Sequence, residues 1–315
     1  MSVNMRGLAS RASALAAAVA VLVAVATDVQ AEQAYAITTQ NLLLTFDTAN
    51  PGQVTNVGVV GGLAPGESLV GIDFRPNGGA LYGIGNLNNI YTIGTMTAGA
   101  TPVTGGMPFT LTGTAFGVDF NPVPDRIRLV SDAEQNLRLN PIAGSGGLAG
   151  TDTPLAFDTD TDGGGPDTGD VNAGANPNVV GAAYTNAVNG ATTTTLFGID
   201  SNLDILVRQG GINVPPGTPS PNGGVLFTIG SLGSDTSNLV GFDVSPSSGL
   251  AYASLTAPGA AGSVLNLINL DSGAASPLGD IGGGVAIAGL AVVPEPASLA
   301  LLGLGLLSVA RRRRR

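Results

Sequence analysis

From residue 32 to residue 293 the apolar positions fall in short runs, with Gly, Pro, Asn and Asp clustered between them. No stretch there holds the spacing of an amphipathic helix. Some runs alternate cleanly: Arg126-Ile127-Arg128-Leu129 puts both guanidiniums on one face of an extended strand and both aliphatic side chains on the other. The pattern predicts an all-β chain.

The runs also repeat. Gly71-Ile72-Asp73-Phe74-Arg75-Pro76 leads into Ala80-Leu81-Tyr82-Gly83-Ile84, and Gly117-Val118-Asp119-Phe120-Asn121-Pro122 leads into Arg126-Ile127-Arg128-Leu129-Val130. Gly241-Phe242-Asp243-Val244-Ser245-Pro246 leads into Leu250-Ala251-Tyr252-Ala253, with weaker copies opening at Gly181 and Gly289. These glycines stand 46, 64, 60 and 48 residues apart, and the long intervals carry an Asp/Gly tract at 158–176 and a Pro/Gly tract at 209–224. Each copy reads as two hairpins, which is one four-stranded blade of a β-propeller. The chain opens with second-half material at Tyr35-Ala36-Ile37 and closes with a first-half strand at 287–293. Pairing those two ends predicts a ring of five blades with no open sheet edge. A two-sheet sandwich or an irregular solenoid is the alternative.

The termini follow other rules. Arg6 and Arg11 precede the apolar stretch Ala12 to Ala26, and Val29-Gln30-Ala31 is a small-residue cleavage site, with Ala34-Tyr35-Ala36 as the fallback. Residues 1–31 therefore read as a signal peptide with a helical apolar segment, and 32–293 as the mature domain. At the other end, Pro294-Glu295-Pro296 is followed by the apolar run Ala297 to Ala310 and by Arg311 to Arg315. That run predicts a transmembrane helix, short for a ~30 Å hydrocarbon core and followed by a basic stop on the cytoplasmic side.

Composition then removes whole classes of chemistry. The chain has no Cys, His or Trp, and its 12 basic residues are all Arg. Thiol nucleophiles, Ser-His-Asp triads, zinc sites of the N/S kind and P-loops are excluded. Once both ends are set aside, five Arg face 20 acids, a net charge of −15. Such a surface repels phosphate backbones and attracts cations, which argues against nucleic acid and for divalent bridges to a polysaccharide matrix.

The order of Pro-Glu-Pro, hydrophobic segment and Arg tail over residues 294–315 resembles the PEP-CTERM sorting signal of Gram-negative bacteria. That resemblance implies an exosortase-type membrane protease as partner, export to the cell surface or extracellular matrix, and a setting of exopolysaccharide production. A permanent single-span anchor is the alternative. Leu69 to Pro76, Phe116 to Pro122, Asp125 to Asp132, Gln135 to Pro141 and Ala182 to Asn186 resemble the bacterial domain-of-unknown-function family 4394, over essentially the whole mature chain. No activity comes with that family.

Three groups of side chains are candidate sites. Asp158, Asp160 and Asp162 stand at alternate positions before Gly163, with Asp167 and Asp170 beyond, as at the start of a calcium loop. The bidentate acid expected at position twelve is displaced, since Gly169 stands there and Asp170 one place later. The other reading is a solvated acidic insertion. Asp73, Asp119 and Asp243 each stand two residues after a blade glycine. They are the candidates for a glycan hydrolase built on paired carboxylates in a propeller channel. A position repeated from blade to blade more often serves the repeat itself. Finally, Arg126, Arg128 and Arg138 either clamp a carboxylated ligand or form an internal ion-pair network with Asp125, Asp132 and Glu134. The five Tyr read as scattered and exposed. The balance of these features favours a non-catalytic exported protein that binds or scaffolds exopolysaccharide, with a glycan-active hydrolase as the alternative and calcium as the one cofactor in view.

Overall fold

The computed structural model describes residues 31–159, 169–214 and 219–294. The signal segment, the apolar tail with its Arg cluster, and the expected helices of both lie outside the described residues. Among the described residues no helix is long and apolar enough to cross a membrane.

Strands β1 (Gln33–Thr38), β2 (Leu42–Asp47) and β3 (Val54–Val59) form most of blade one. Blade two is β4 (Leu69–Phe74), β5 (Leu81–Gly85), β6 (Asn89–Ile93) and β7 (Ala100–Val103). Blade three is β8 (Phe116–Asn121), β9 (Arg126–Ser131), β10 (Asn136–Asn140) and β11 (Gly147–Thr151). Blade four holds β12 (Ala156–Phe157), β13 (Val179–Tyr184), β14 (Thr194–Asp200), β15 (Ile205–Val214) and β16 (Val225–Ser231). Blade five is β17 (Val240–Val244), β18 (Ala251–Leu255), β19 (Val264–Ile268) and β20 (Ala275–Asp280), after which β21 (Ile287–Val292) returns to blade one. There β21 pairs antiparallel with β1, Ala34 opposite Val292 and Ala36 opposite Leu290, so the ring closes through its two ends as the repeat predicts.

Both long insertions fall in the same blade. The Asp/Gly tract joins β12 to β13, and the Pro/Gly tract supplies the end of β15, which runs to Val214, and its connection to β16. Blade four also gains a fifth strand, because β12 lies parallel along the outer edge of β16.

The repeat has a packing reason. Every blade is covered on both sides by its neighbours, so strands such as β5, β13 and β14 are buried along their whole length. Five apolar clusters fill the five gaps between blades. Each fully buried Leu, Ile or Phe in them contributes roughly 1.5–3 kcal/mol. Phe74 and Phe120, at equivalent blade positions, each meet a tyrosine edge to face, Tyr35 at 5.7 Å and Tyr82 at 5.2 Å between centroids. All five tyrosines are in fact buried, because interblade gaps are where a large ring with one polar tip fits.

Candidate functional site

The inner strands β21, β4, β8, β13 and β17 surround the propeller axis. Gly71, Gly117, Gly181, Gly241 and Gly289 occupy one level of these strands, and each is packed tightly against its neighbour, most closely at Gly71, Gly117 and Gly241. A Cβ on Gly117 would lie 2.7 Å from the Ala182 nitrogen, and one on Gly241 2.7 Å from the Leu290 nitrogen. The glycines therefore let the strands close on the axis. The space left there is about 10 Å³, lined by all five inner strands, which is about enough for one water.

Two residues further along lie the repeated acids. Asp73 accepts from the Phe120 amide at 2.7 Å, Asp119 from the Tyr184 amide at 2.8 Å, and Asp243 from the Val292 amide at 2.6 Å. Each aspartate thus ties its own inner strand to the next one round the ring. In the two remaining blades the position is Ala183 or Ala291, so the pattern is carried by three blades out of five.

The same geometry brings the three carboxylates together, with one oxygen of each within 4.8 Å of the others. They are between 2% and 6% exposed. Burial raises the pKa of all three: Asp73 and Asp119 stand well above the usual carboxylate range and repel each other's charge or that of Asp243. Asp243 is pushed up to about 7, with the Glu32 carboxylate adding to the effect of burial and the Val292 and Val244 amides opposing it. A cluster of this kind is stable when it holds protons or a hard cation. Among the described residues it is the one group of acids close enough to hold a metal ion.

The arginines do form an internal network, with different partners from those expected. Arg128 is 1% exposed and binds Asp152 at 2.7 Å, together with Asn136, Asn222 and the Tyr184 hydroxyl. Arg138 binds the same Asp152 at 2.7 Å. Asp125 pairs instead with Arg75, which holds its carboxyl below the usual range. Asp132 accepts from the Thr114 amide and hydroxyl, and Arg126 turns to the Pro124 and Asp125 carbonyls. Asp152 was illegible as a partner because the β10–β11 register, not sequence distance, brings it beside Arg128. Glu32 and Glu67 were likewise missed. Glu67 is buried and accepts from the Leu87 amide, the Asn89 amide group and the Tyr91 hydroxyl.

Of the proposed calcium loop, Asp160, Asp162 and Asp167 lie outside the described residues. Asp170 accepts from the Thr228 amide and hydroxyl and from the Asn172 amide, which pins the end of the insertion to β16.

One surface feature stands apart. A groove of about 580 Å³ on blade four is lined by Pro154, Phe157, Pro219, Val225 and Phe227, with Asp158 among its polar residues. The Arg208 guanidinium lies 4.3 Å from the Phe227 ring centre. It donates to the Gly210 carbonyl and has no carboxylate partner among the described residues.

Among solved structures the chain is similar to a chain of the nidogen/laminin complex, at 10% identity over 82% of this chain and 83% of that one, with a TM-score of 0.41. It is similar to a Lactobacillus plantarum protein at 13% identity over 84% and 100% of the two chains, TM-score 0.41. A Bacteroides thetaiotaomicron protein of unknown function gives 15% identity over 77% and 56%, TM-score 0.40. No curated protein matches it. Residues 292–315 match the PEP-CTERM protein-sorting motif. Residues 41–291, from the turn before β2 to the end of the ring-closing strand, match the domain of unknown function DUF4394, and the chain belongs to that family.

Proposed function

We propose that this chain is an exported, non-catalytic propeller of the cell envelope or extracellular matrix, sorted by an exosortase-type membrane protease, that binds or scaffolds exopolysaccharide. The observation that carries the non-catalytic part is the sealed axis. Glycoside hydrolysis needs two carboxylates on either side of a sugar ring, roughly 5–5.5 Å apart for retention and 6.5–9.5 Å for inversion. Asp73, Asp119 and Asp243 crowd within 4.8 Å, beside a space of about 10 Å³. A sugar ring does not fit. These acids serve the ring closure, each holding a neighbouring strand.

The groove on blade four is the better surface for a glycan. Its volume falls within the roughly 300–1,000 Å³ of small-ligand sites. Its apolar lining suits the face of a sugar, and Arg208, which lies against the groove residue Phe227, has no carboxylate counter-charge among the described residues of a domain of net charge −15. A carboxylated sugar supplies that counter-charge through paired hydrogen bonds.

The test is co-sedimentation of the secreted protein with uronate-rich and neutral polysaccharides, with and without calcium, alongside a reducing-end assay. Retention on the uronate polymer, weakened at least about fivefold by Arg208→Ala, with no new reducing ends, supports the proposal. Reducing ends released by the wild type and lost in Asp119→Asn would establish the hydrolase instead. Failure to bind either polymer removes the matrix reading.

A further inference from the structure

Ala31 is exposed while Glu32, the next residue, is 3% exposed. The Glu32 amide donates to Thr48 Oγ1 at 3.1 Å, and its carbonyl accepts from the Thr48 amide at 2.8 Å. Its carboxylate is cradled by the turn between β17 and β18: Ser245 and Ser247 donate to one oxygen, and Ser248 donates to the other at 3.0 Å. Glu32 therefore bolts the first blade to the fifth. From Gln33 onward the chain is held on both sides, by β2 and by β21, and the Gln33 carbonyl accepts from the Val293 amide at 2.8 Å.

We infer that the Ala31–Glu32 bond is a processing site open to a signal peptidase only before the propeller closes, and that the Glu32–serine bolt occludes it afterwards. This rests on reading residues 1–31 as an export leader. A peptidase must draw the residues on both sides of its bond into an extended segment that pairs with its own backbone. On the Glu32 side those backbone groups and the side chain are already committed within the fold. The hydrolysis itself adds water across the amide, leaving a carboxylate on Ala31 and an ammonium on Glu32, where the amide now meets Thr48.

The fold also chooses between the two sequence-level sites. Cleavage after Ala36 would remove Gln33 to Ala36, most of β1, and leave the axial strand β21 only Ile37 and Thr38 to pair with. Cleavage after Ala31 leaves the whole strand and its bolt intact. At the other end, the Val293 amide makes the last backbone pairing among the described residues.

The experiment compares the folded full-length chain in detergent with a synthetic peptide spanning residues 20–40, each incubated with a bacterial signal peptidase and read by intact mass. The peptide is expected to be cut after Ala31 and the folded chain at least about tenfold more slowly. Ser247→Ala/Ser248→Ala, which loosens the bolt without touching the cleaved segment, should bring the folded chain towards the peptide rate. Secreted protein should begin at Glu32. A folded chain cut as fast as the peptide, a double variant as resistant as the wild type, or a mature protein beginning at Ile37 would each overturn the inference. A peptide that is not cut at all identifies the leader reading as the part that failed.

Discussion

Raising the pH from about 5 to about 8 should destabilise this protein, opposite to the rise in stability that paired carboxylates give other proteins on leaving acid. The cause is the axial cluster. Asp243 has an ordinary value of 3.8 and is pushed up to about 7 in the folded chain, and Asp73 and Asp119 move the same way. A group whose pKa is raised on folding binds its proton more tightly in the native state. Its contribution is complete below pH 3.8 and is lost as the pH climbs through about 7. One extra bound proton corresponds to about 1.4 kcal/mol per pH unit, so Asp243 by itself accounts for up to about 3 kcal/mol over the two units between pH ~5 and about 7. Asp125 is shifted the other way by Arg75, but its contribution changes only on acidification and leaves this window alone. The assay is urea unfolding of the secreted protein at a series of pH values in EDTA, so that a divalent cation cannot neutralise the cluster. Asp243→Asn keeps an acceptor for the Val292 amide and cannot ionise. It should flatten the slope by about one proton and be the more stable protein at pH ~8. Wild-type stability that is flat or rising from pH ~5 to ~8, or a variant curve parallel to wild type, would refute a buried, proton-holding cluster.

Two further outcomes follow from the packing. Gly117→Ala drives a Cβ to within 2.7 Å of the Ala182 nitrogen, a backbone atom that cannot rotate away. It should cost about 1–3 kcal/mol and lower the melting temperature by several degrees. Arg128→Met strips the buried guanidinium from Asp152, Asn136 and Asn222 and should cost about 3–5 kcal/mol in urea unfolding, whereas Arg126→Ala should stay within about 0.5 kcal/mol.

What the sequence by itself determined is whatever recurs in each blade. The Gly-x-Asp opening of β4, β8 and β17 performs the same local task each time, a close strand contact followed by a hydrogen bond to the next strand. Repetition therefore exposed the blade count, and the unmatched half-blades at 35–47 and 287–293 exposed the closure. The two ends were legible for a different reason: sorting segments are read as linear patterns and need no fold to be recognised.

Tertiary structure decided what depends on closure. Asp73 and Asp243 are 170 residues apart in the chain, and only the completed ring makes them neighbours and raises their pKa values. The partner of Arg128 was decided by the register of β9, β10 and β11, which puts Asp152 beside it in place of the nearer acids. The burial of Glu32, the collection of both insertions in blade four and the seat of Arg208 against Phe227 are of the same kind. Local sequence sets which strands form and how each one turns. The environment of a charge is set by every element packed against it, and in a ring those elements come from opposite ends of the chain.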